Sequence, residues 1–262
     1  MEFEENMIIN YENIKNKAYE GIDKKYYDEI CFKKVISNNN HYIIVMKKIN
    51  STTNEDRIVV NEKYAQFRAN RLFVIKIFNM ITLEEIDEIL NKIIIGYYKY
   101  ELKYITNEDV YPDSYDYYIK DQHTSGIHFF NSLKPAIYFC FNPKYKYFNG
   151  NYINFNENGA KNYECEYIND MKHGKEIIYY KNGNKKEECD YICDKKHGKE
   201  IMYYENGNKK EECDYIINNK HGKIIMYYEN GTIRGIFQYD DLNFSSETNF
   251  EDETCVVKIY LT

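Results

Sequence analysis

Along the second half of the chain, short apolar runs return at a fixed interval between charged stretches. Ile177-Ile178-Tyr179-Tyr180, Ile201-Met202-Tyr203-Tyr204 and Ile225-Met226-Tyr227-Tyr228 are each followed by an Asn-Gly pair two residues on. Gly174, Gly198 and Gly222 each follow a His, and 198 − 174 = 222 − 198 = 24. Cys165, Cys189 and Cys213 keep the same step, as do Tyr167, Tyr191 and Tyr215. A period this regular is one supersecondary unit stacked on copies of itself. Asn-Gly between two β-rich runs is a hairpin signal. The spacing therefore predicts four consecutive hairpins over residues 150–239, turning at Asn158-Gly159, Asn182-Gly183, Asn206-Gly207 and Asn230-Gly231.

With a two-residue loop, counting outward sets Tyr180 opposite Lys185, Ile178 opposite Glu187 and Glu176 opposite Cys189. Because strand side chains alternate, Ile178, Tyr180, Cys189 and Tyr191 share one face, expected to be the core side. Ile177, Tyr179, Lys186, Glu188 and Asp190 share the other, expected to be exposed. The stretch before each His-Gly is looser, and His173, His197 and His221 are expected at corners along one sheet edge.

The first half is patterned differently. Residues 1–20 are polar and read as a tail; an α+β domain follows over 21–145. Tyr42-Ile43-Ile44-Val45-Met46 and Arg57-Ile58-Val59-Val60 read as strands around a turn at 50–54, and Leu72-Phe73-Val74-Ile75-Lys76-Ile77 as a strand buried on both faces. Thr82 and Glu85 make a capping box, with Leu83, Ile86, Ile89, Leu90 and Ile93 on one face of a predicted helix. Residues 97–105 read as a strand, as does Gly126-Ile127-His128-Phe129-Phe130, leading to a short helix capped by Ser132. Residues 240–262 begin with polar capping material, and Cys255-Val256-Val257-Lys258-Ile259-Tyr260 reads as a closing strand.

Composition narrows the function classes. A net charge of −7 argues against general nucleic-acid affinity, which needs a basic surface to displace counterions. The nearest thing to a membrane span, Lys92-Ile93-Ile94-Ile95-Gly96, is far short of one. Seven Cys, an odd number, follow an acidic start at Glu2, Glu4 and Glu5, so the expected setting is intracellular and reducing, with free thiols. Thirty Tyr and no Trp, with many Asn, Lys and Ile, fit an A/T-rich coding sequence as well as functional enrichment.

The repeated unit Gly-Lys-Glu-Ile-(Ile/Met)-Tyr-Tyr-(Lys/Glu)-Asn-Gly-Asn-Lys-Lys-Glu-Glu-Cys-Asp-Tyr, ending in His-Gly, resembles the MORN repeat, in the variant with a Tyr-Tyr-x-Asn-Gly core. The resemblance implies an all-β elongated sheet of hairpin repeats after the α+β domain. Lys63-Tyr64-Ala65-Gln66-Phe67-Arg68-Ala69-Asn70-Arg71-Leu72, residues 111–116 and Ser125-Gly126-Ile127-His128-Phe129-Phe130 resemble an N-terminal domain of uncharacterised proteins from mimivirus-like large DNA viruses. That likeness implies no activity; it points to a viral source and to action in host cytoplasm or virion.

Repeated Cys and His suggest metal, but equivalent residues lie two strands apart, about 9.5–10 Å. Zinc ligands must all lie within about 2.0–2.3 Å of the ion, so neither metal nor cofactor is expected, and the cysteines read as small residues under the core. Lys175, Lys199 and Lys223 beside the His-Gly corners could meet anionic lipid headgroups weakly or simply solvate an edge. Tyr179, Tyr203 and Tyr227 with Ile177, Ile201 and Ile225 form rows suited to a protein partner. The leading expectation is thus a non-enzymatic interaction scaffold. The alternative is an enzymatic effector in the first domain, because residues 126–130 resemble a strand of ADP-ribosyltransferases, with Arg68 or His128 as the nicotinamide clamp; no late Glu lies between His128 and the repeats.

Overall fold

The computed structural model describes residues 10–95, 98–117, 125–139 and 149–239. The expected closing strand at 255–260 and the rest of 240–262 lie outside the described residues. The chain divides into two compact units: Met1–Asn142 with Ile153–Lys161, and Pro143–Tyr152 with Asn162–Thr262.

The first unit is mostly β with short helices. Helix α1 (Tyr11–Tyr19) is followed by a 3-10 turn (Lys24–Glu29) and strands β1 (Ile30–Ser37), β2 (Asn40–Lys47), β3 (Gln66–Ala69), β4 (Leu72–Asn79), β5 (Glu85–Ile86), β6 (Glu88–Ile95), β7 (Tyr98–Ile105), β8 (Asp109–Val110) and β9 (Ile127–Phe130), then helix α2 (Leu133–Tyr138). The main sheet runs β3-β9-β1-β2-β4-β5, with β8 also on β4; β6 and β7 pair separately. Its core is apolar: Val35, Ile44, Phe67, Leu72, Ile77 and Phe129 are fully buried. Two buried lysines close the helices. Lys76 donates to the carbonyls of Lys17 (3.3 Å) and Glu20 (2.7 Å) at the end of α1, and Lys34 to that of Ile137 (3.0 Å) at the end of α2, where orphan carbonyls and the helix dipole favour a cation.

Four expectations for this unit are corrected. Tyr11–Tyr19 is a helix rather than tail: the Asn10 side chain caps Asn13 N–H, and Ile14 and Ala18 are buried. Residues 82–93 are not helical. Asn79 Oδ1 accepts from Ile81 and Thr82, Leu83 takes φ +62, and β6 pairs residue by residue with β7. The β-branched run at 93–95 suits that strand. Residues 57–60 form no strand, and Ile58 is fully exposed. The partner of β2 is instead β1, joined through Asn38-Asn39, both at positive φ, a two-residue hairpin turn.

Strands β10 (Gly150–Phe155), β11 (Lys161–Ile168), β12 (Met171–Tyr179), β13 (Lys185–Ile192), β14 (Lys195–Tyr203), β15 (Lys209–Ile216), β16 (Asn219–Tyr227) and β17 (Ile233–Tyr239) form one eight-stranded sheet in sequence order. The four hairpins turn at the four Asn-Gly pairs. Each corner, though, is a three-residue loop. Tyr180 N–H donates to Asn184 (2.8 Å) and Gly183 N–H to Tyr180 (2.9 Å), with Gly183 at φ +92, a turn closed by a glycine bulge. A second bulge follows, since Ile178 faces Glu187 while Tyr179 faces Lys185. The extra loop residue and the extra strand residue cancel, so Glu176 does face Cys189 and Ile178 does face Glu187.

The His-Gly pairs are not corners. They lie inside β12, β14 and β16 at irregularities in the ladder. The turns come earlier, at Asn169-Asp170, Cys193-Asp194 and Ile217-Asn218, each pair at positive φ. The sequence hid them because Cys and Ile rarely take that conformation. The glycine after each His takes a positive φ; at Gly198 φ is +101, and a Cβ there would sit 3.3 Å from the Asp190 side chain. Cys31, Cys165, Cys189 and Cys213 are buried free thiols, whereas Cys193, at a turn tip, is disulfide-bonded, so free thiols are not the rule throughout.

Candidate functional site

The repeat sheet carries the residues expected to meet a partner, and its two faces are built by different chemistry. On one face each repeat presents a row of Lys, Ile and Tyr: Lys175-Ile177-Tyr179, Lys199-Ile201-Tyr203 and Lys223-Ile225-Tyr227. The lysines are exposed; the isoleucines and tyrosines are half-buried rather than fully exposed. The reason is a ladder between repeats. Tyr179 donates its hydroxyl to Glu164, Tyr203 to Glu188 and Tyr227 to Glu212 (2.6 Å), each acceptor lying 15 residues back. Glu188 also receives Lys185 and Glu212 receives Lys209, both at 2.7 Å. Glu188 is therefore buried where the alternation expected exposure. Burial pushes its pKa up, but the bonds from Lys185 and Tyr203 outweigh it and hold the carboxyl below its usual range. Lys209 and Tyr227 do the same for Glu212.

The opposite face collects Cys165, Cys189, Cys213, Tyr167 and Tyr191, all buried, as expected, and also Glu176 and Glu200, whereas Ile178 and Tyr180, expected in the core, are only half-buried. Each acid pairs with the lysine four residues before it, Lys172 or Lys196, across the His-Gly irregularity. Lys172 also lies 4.9 Å from the Tyr191 ring and Lys196 5.3 Å from that of Tyr215, close enough for cation–π attraction. Burial opposes the charge on Lys196, yet Glu200 and Glu187 hold its pKa above the usual lysine value. Burial also lifts the thiols, Cys165 and Cys213 to about 11 and Cys189 to about 12. They are packing groups, protonated at neutral pH and poor nucleophiles.

Both margins are stitched. Tyr180 and Tyr204 donate to the carbonyls of Tyr203 (2.8 Å) and Tyr227 (2.9 Å) in the following repeat. Asn182 and Asn184 both donate to Glu205 O, at 3.1 and 2.9 Å. At the other margin Asp194 N–H donates to Lys172 O (3.0 Å) and Lys172 N–H returns a bond to Asp194 Oδ1 (2.8 Å); Asn218 and Lys196 repeat this at 2.9 and 2.8 Å. The second Tyr and the two Asn of the Tyr-Tyr-x-Asn-Gly-Asn motif are thus donors spaced to reach the next repeat, while its first Tyr reaches back to the preceding one.

Lys175, Lys199 and Lys223 lie on a face, not an edge, because the strand continues past His-Gly. Lys175 pairs with Asp190 (2.9 Å) and Lys199 with Glu212 (3.6 Å). Among the described residues, no group of three or more His, Cys, Asp and Glu side chains could hold a metal. No helix there is long and apolar enough to cross a membrane.

In the first unit the structure brings Arg68 and His128 together, opposite each other on β3 and β9. Arg68 is buried to 1% exposure, and its guanidinium donates to the carbonyls of Ser125 (2.8 Å) and Asp116 (3.2 Å). The ring of Tyr115 lies 5.6 Å from it. Gly126 beside it has φ +141 and would place a Cβ 3.3 Å from Arg68 Cβ. A charge so engaged pins the chain before β9.

The family model described as a family of unknown function (DUF5758) matches residues 15–136. The MORN repeat variant matches residues 172–192, 196–216 and 220–241. The chain therefore carries an N-terminal domain of the DUF5758 type followed by MORN repeat variants. Each repeat match starts just past a two-residue turn and runs through one Asn-Gly hairpin, while the first hairpin, over β10 and β11, lies outside the matches. No curated protein matches the chain.

Proposed function

We propose that the repeat sheet is a protein-interaction scaffold acting without catalytic turnover, with the Lys-Ile-Tyr rows as its contact face. The observation that carries this reading is the hydroxyl ladder. It fixes each tyrosine ring against the preceding repeat, so three half-open aromatic and aliphatic rows stand at a set interval, already ordered before a partner arrives. Ordering in advance lowers the entropic cost of association. Aromatic residues rimmed by charge suit a protein interface. The binding of Arg68 by backbone carbonyls supports a structural role for the residue that a transferase reading would use. Anionic lipid is a weaker fit, since Asp190 and Glu212 offset Lys175 and Lys199. A large-DNA-virus source, and action in host cytoplasm or virion, go with this reading on the strength of the resemblance and of a residue composition that fits an A/T-rich coding sequence.

The test replaces Ile177, Ile201 and Ile225 together by Lys, which changes the face and spares the ladder. Capture of protein partners from host-cell extract should be lost while the melting temperature holds. A folded triple variant that captures the same proteins as the parent would move the contact surface off these rows.

A further inference from the structure

The last strand departs from the repeat in a direction that needs explaining. β13 and β15 both read Lys-Lys-Glu-Glu-Cys-Asp-Tyr-Ile, whereas β17 reads Ile-Arg-Gly-Ile-Phe-Gln-Tyr. One period on from Glu188 and Glu212 stands Ile236; one period on from Cys189 and Cys213 stands Phe237; one period on from Lys185 and Lys209 stands Ile233. Among the described residues β17 ends the sheet order, with β16 on one side. An outermost strand that faces water is ordinarily guarded by charge. Here the inner strands carry the acids and the outer one has lost them. Its apolar side chains are open on both faces: Ile233 and Ile236 at 56% exposure on the Tyr-row face, Phe237 at 54% on the other, with Tyr228 beside it at 52%. The stitching also runs out here. Tyr180 and Tyr204 each reach a carbonyl of the next repeat, and Tyr228, the third of that file, stands at the sheet's end.

We infer that β17 is the joint between two copies of this chain, paired antiparallel about a two-fold axis so that the two repeat sheets continue into one another. The register supports self-pairing. With Ile236 on the axis, it meets its own copy, Arg234 stands opposite Gln238 and Ile233 opposite Tyr239, so no charge faces its like. The same operation on β13 would set Glu188 against Glu188. A copy satisfies the outward main-chain groups of β17, which otherwise need water. It also sets Ile236 against Ile236 and leaves the bare backbone of Gly235 opposite each Phe237 ring, and one patch serves both sides, as a two-fold interface requires. The inference stands apart from the proposed contact face: it uses the sheet edge, and either can fail alone.

Sedimentation of the full chain over a concentration series tests it. The expected mass is twice the 31.7 kDa chain, falling to one chain on dilution. Ile236→Glu, which restores the acid of the inner strands and sets it on the axis, should give a monomer with unchanged melting. Phe237→Lys, on the opposite face, should do the same, and decides the matter should Ile236→Glu not fold. A full chain that is monomeric at every concentration would overturn the inference and assign the edge to residues 240–262 of the same chain or to an unrelated strand. A dimer that survives both folded variants would overturn it too.

Discussion

The two units of this chain reach stability by opposite means. The first buries apolar side chains in one core under a sheet whose order, β3-β9-β1-β2-β4-β5, brings together residues far apart in sequence. The second pairs only neighbours in sequence, and its most buried positions include Glu176, Glu188, Glu200 and Glu212. Among the described residues the sheet closes its faces with Tyr-Glu bonds between repeats and Lys-Glu pairs along its strands. Buried polar groups of this kind must all be partnered, because an unmet one costs the full desolvation penalty. The comparison predicts that packing faults injure the first unit most, and that the sheet is damaged in small increments.

Glycine at equivalent corners gives the widest contrast. Gly159 belongs to the first unit, where a Cβ would lie 2.0 Å from the Asn61 carbonyl oxygen and 2.8 Å from Ala65 N. Gly159→Ala should cost roughly 3–4 kcal/mol or prevent folding. Gly207 has φ +90 and meets nothing closer than 3.9 Å; Gly207→Ala should cost only about 1–2 kcal/mol of left-handed strain. Denaturant titration of both variants checks the ratio, and equal costs would remove the distinction between the units.

Tyr203→Phe removes one donor from buried Glu188 and leaves Lys185. A loss of about 1–2 kcal/mol is expected, with less for Tyr227→Phe, whose acceptor Glu212 keeps both Lys209 and Lys199. Ile217→Asn should raise stability by about 1 kcal/mol, because Ile217 holds φ +48, which a β-branched residue resists and Asn tolerates; a thermal melt reads the gain.

The smallest effects are those of pH. Glu188 and Glu212 have folded pKa values depressed below the ordinary glutamate value. A depressed acid contributes stability that is present above its unfolded pKa and lost as pH falls through the folded one. The sheet should therefore weaken below the ordinary glutamate range. Tyr227, raised from 10.0 to about 12 by its bond to Glu212 and by burial, works at the other end. Its contribution is whole below pH 10 and is lost as pH rises through about 12. Denaturation midpoints across pH check both limits, and in Tyr227→Phe the alkaline loss should shrink.

Much of the sheet was legible in the sequence because its contacts are local and repeated. The Asn-Gly turns and the Glu176–Cys189 register followed from period and turn chemistry, although two irregularities had to cancel for the count to hold. What was hidden depended on contacts across distance or on rare backbone. The turn at Ile217-Asn218 has no compositional signal, so His-Gly took its place as the expected corner. In the first unit the apolar residues at 83–93 fit a helical face as well as a strand, and only pairing with β7 decides. The Asn38-Asn39 turn was available as a signal, yet Arg57-Ile58-Val59-Val60 drew the strand assignment away from β1. Among the proposed contact residues, the rows were readable from alternation; the glutamates that orient their tyrosines come from the preceding repeat and were not.

Hydrogen exchange on the chain alone and bound to a protein captured from cell extract decides whether the Lys-Ile-Tyr rows are the contact face. Added protection is expected in β12, β14 and β16 around residues 175–179, 199–203 and 223–227, with the first unit unchanged. Protection confined to the first unit, with those three segments exchanging as in the free chain, would contradict that assignment.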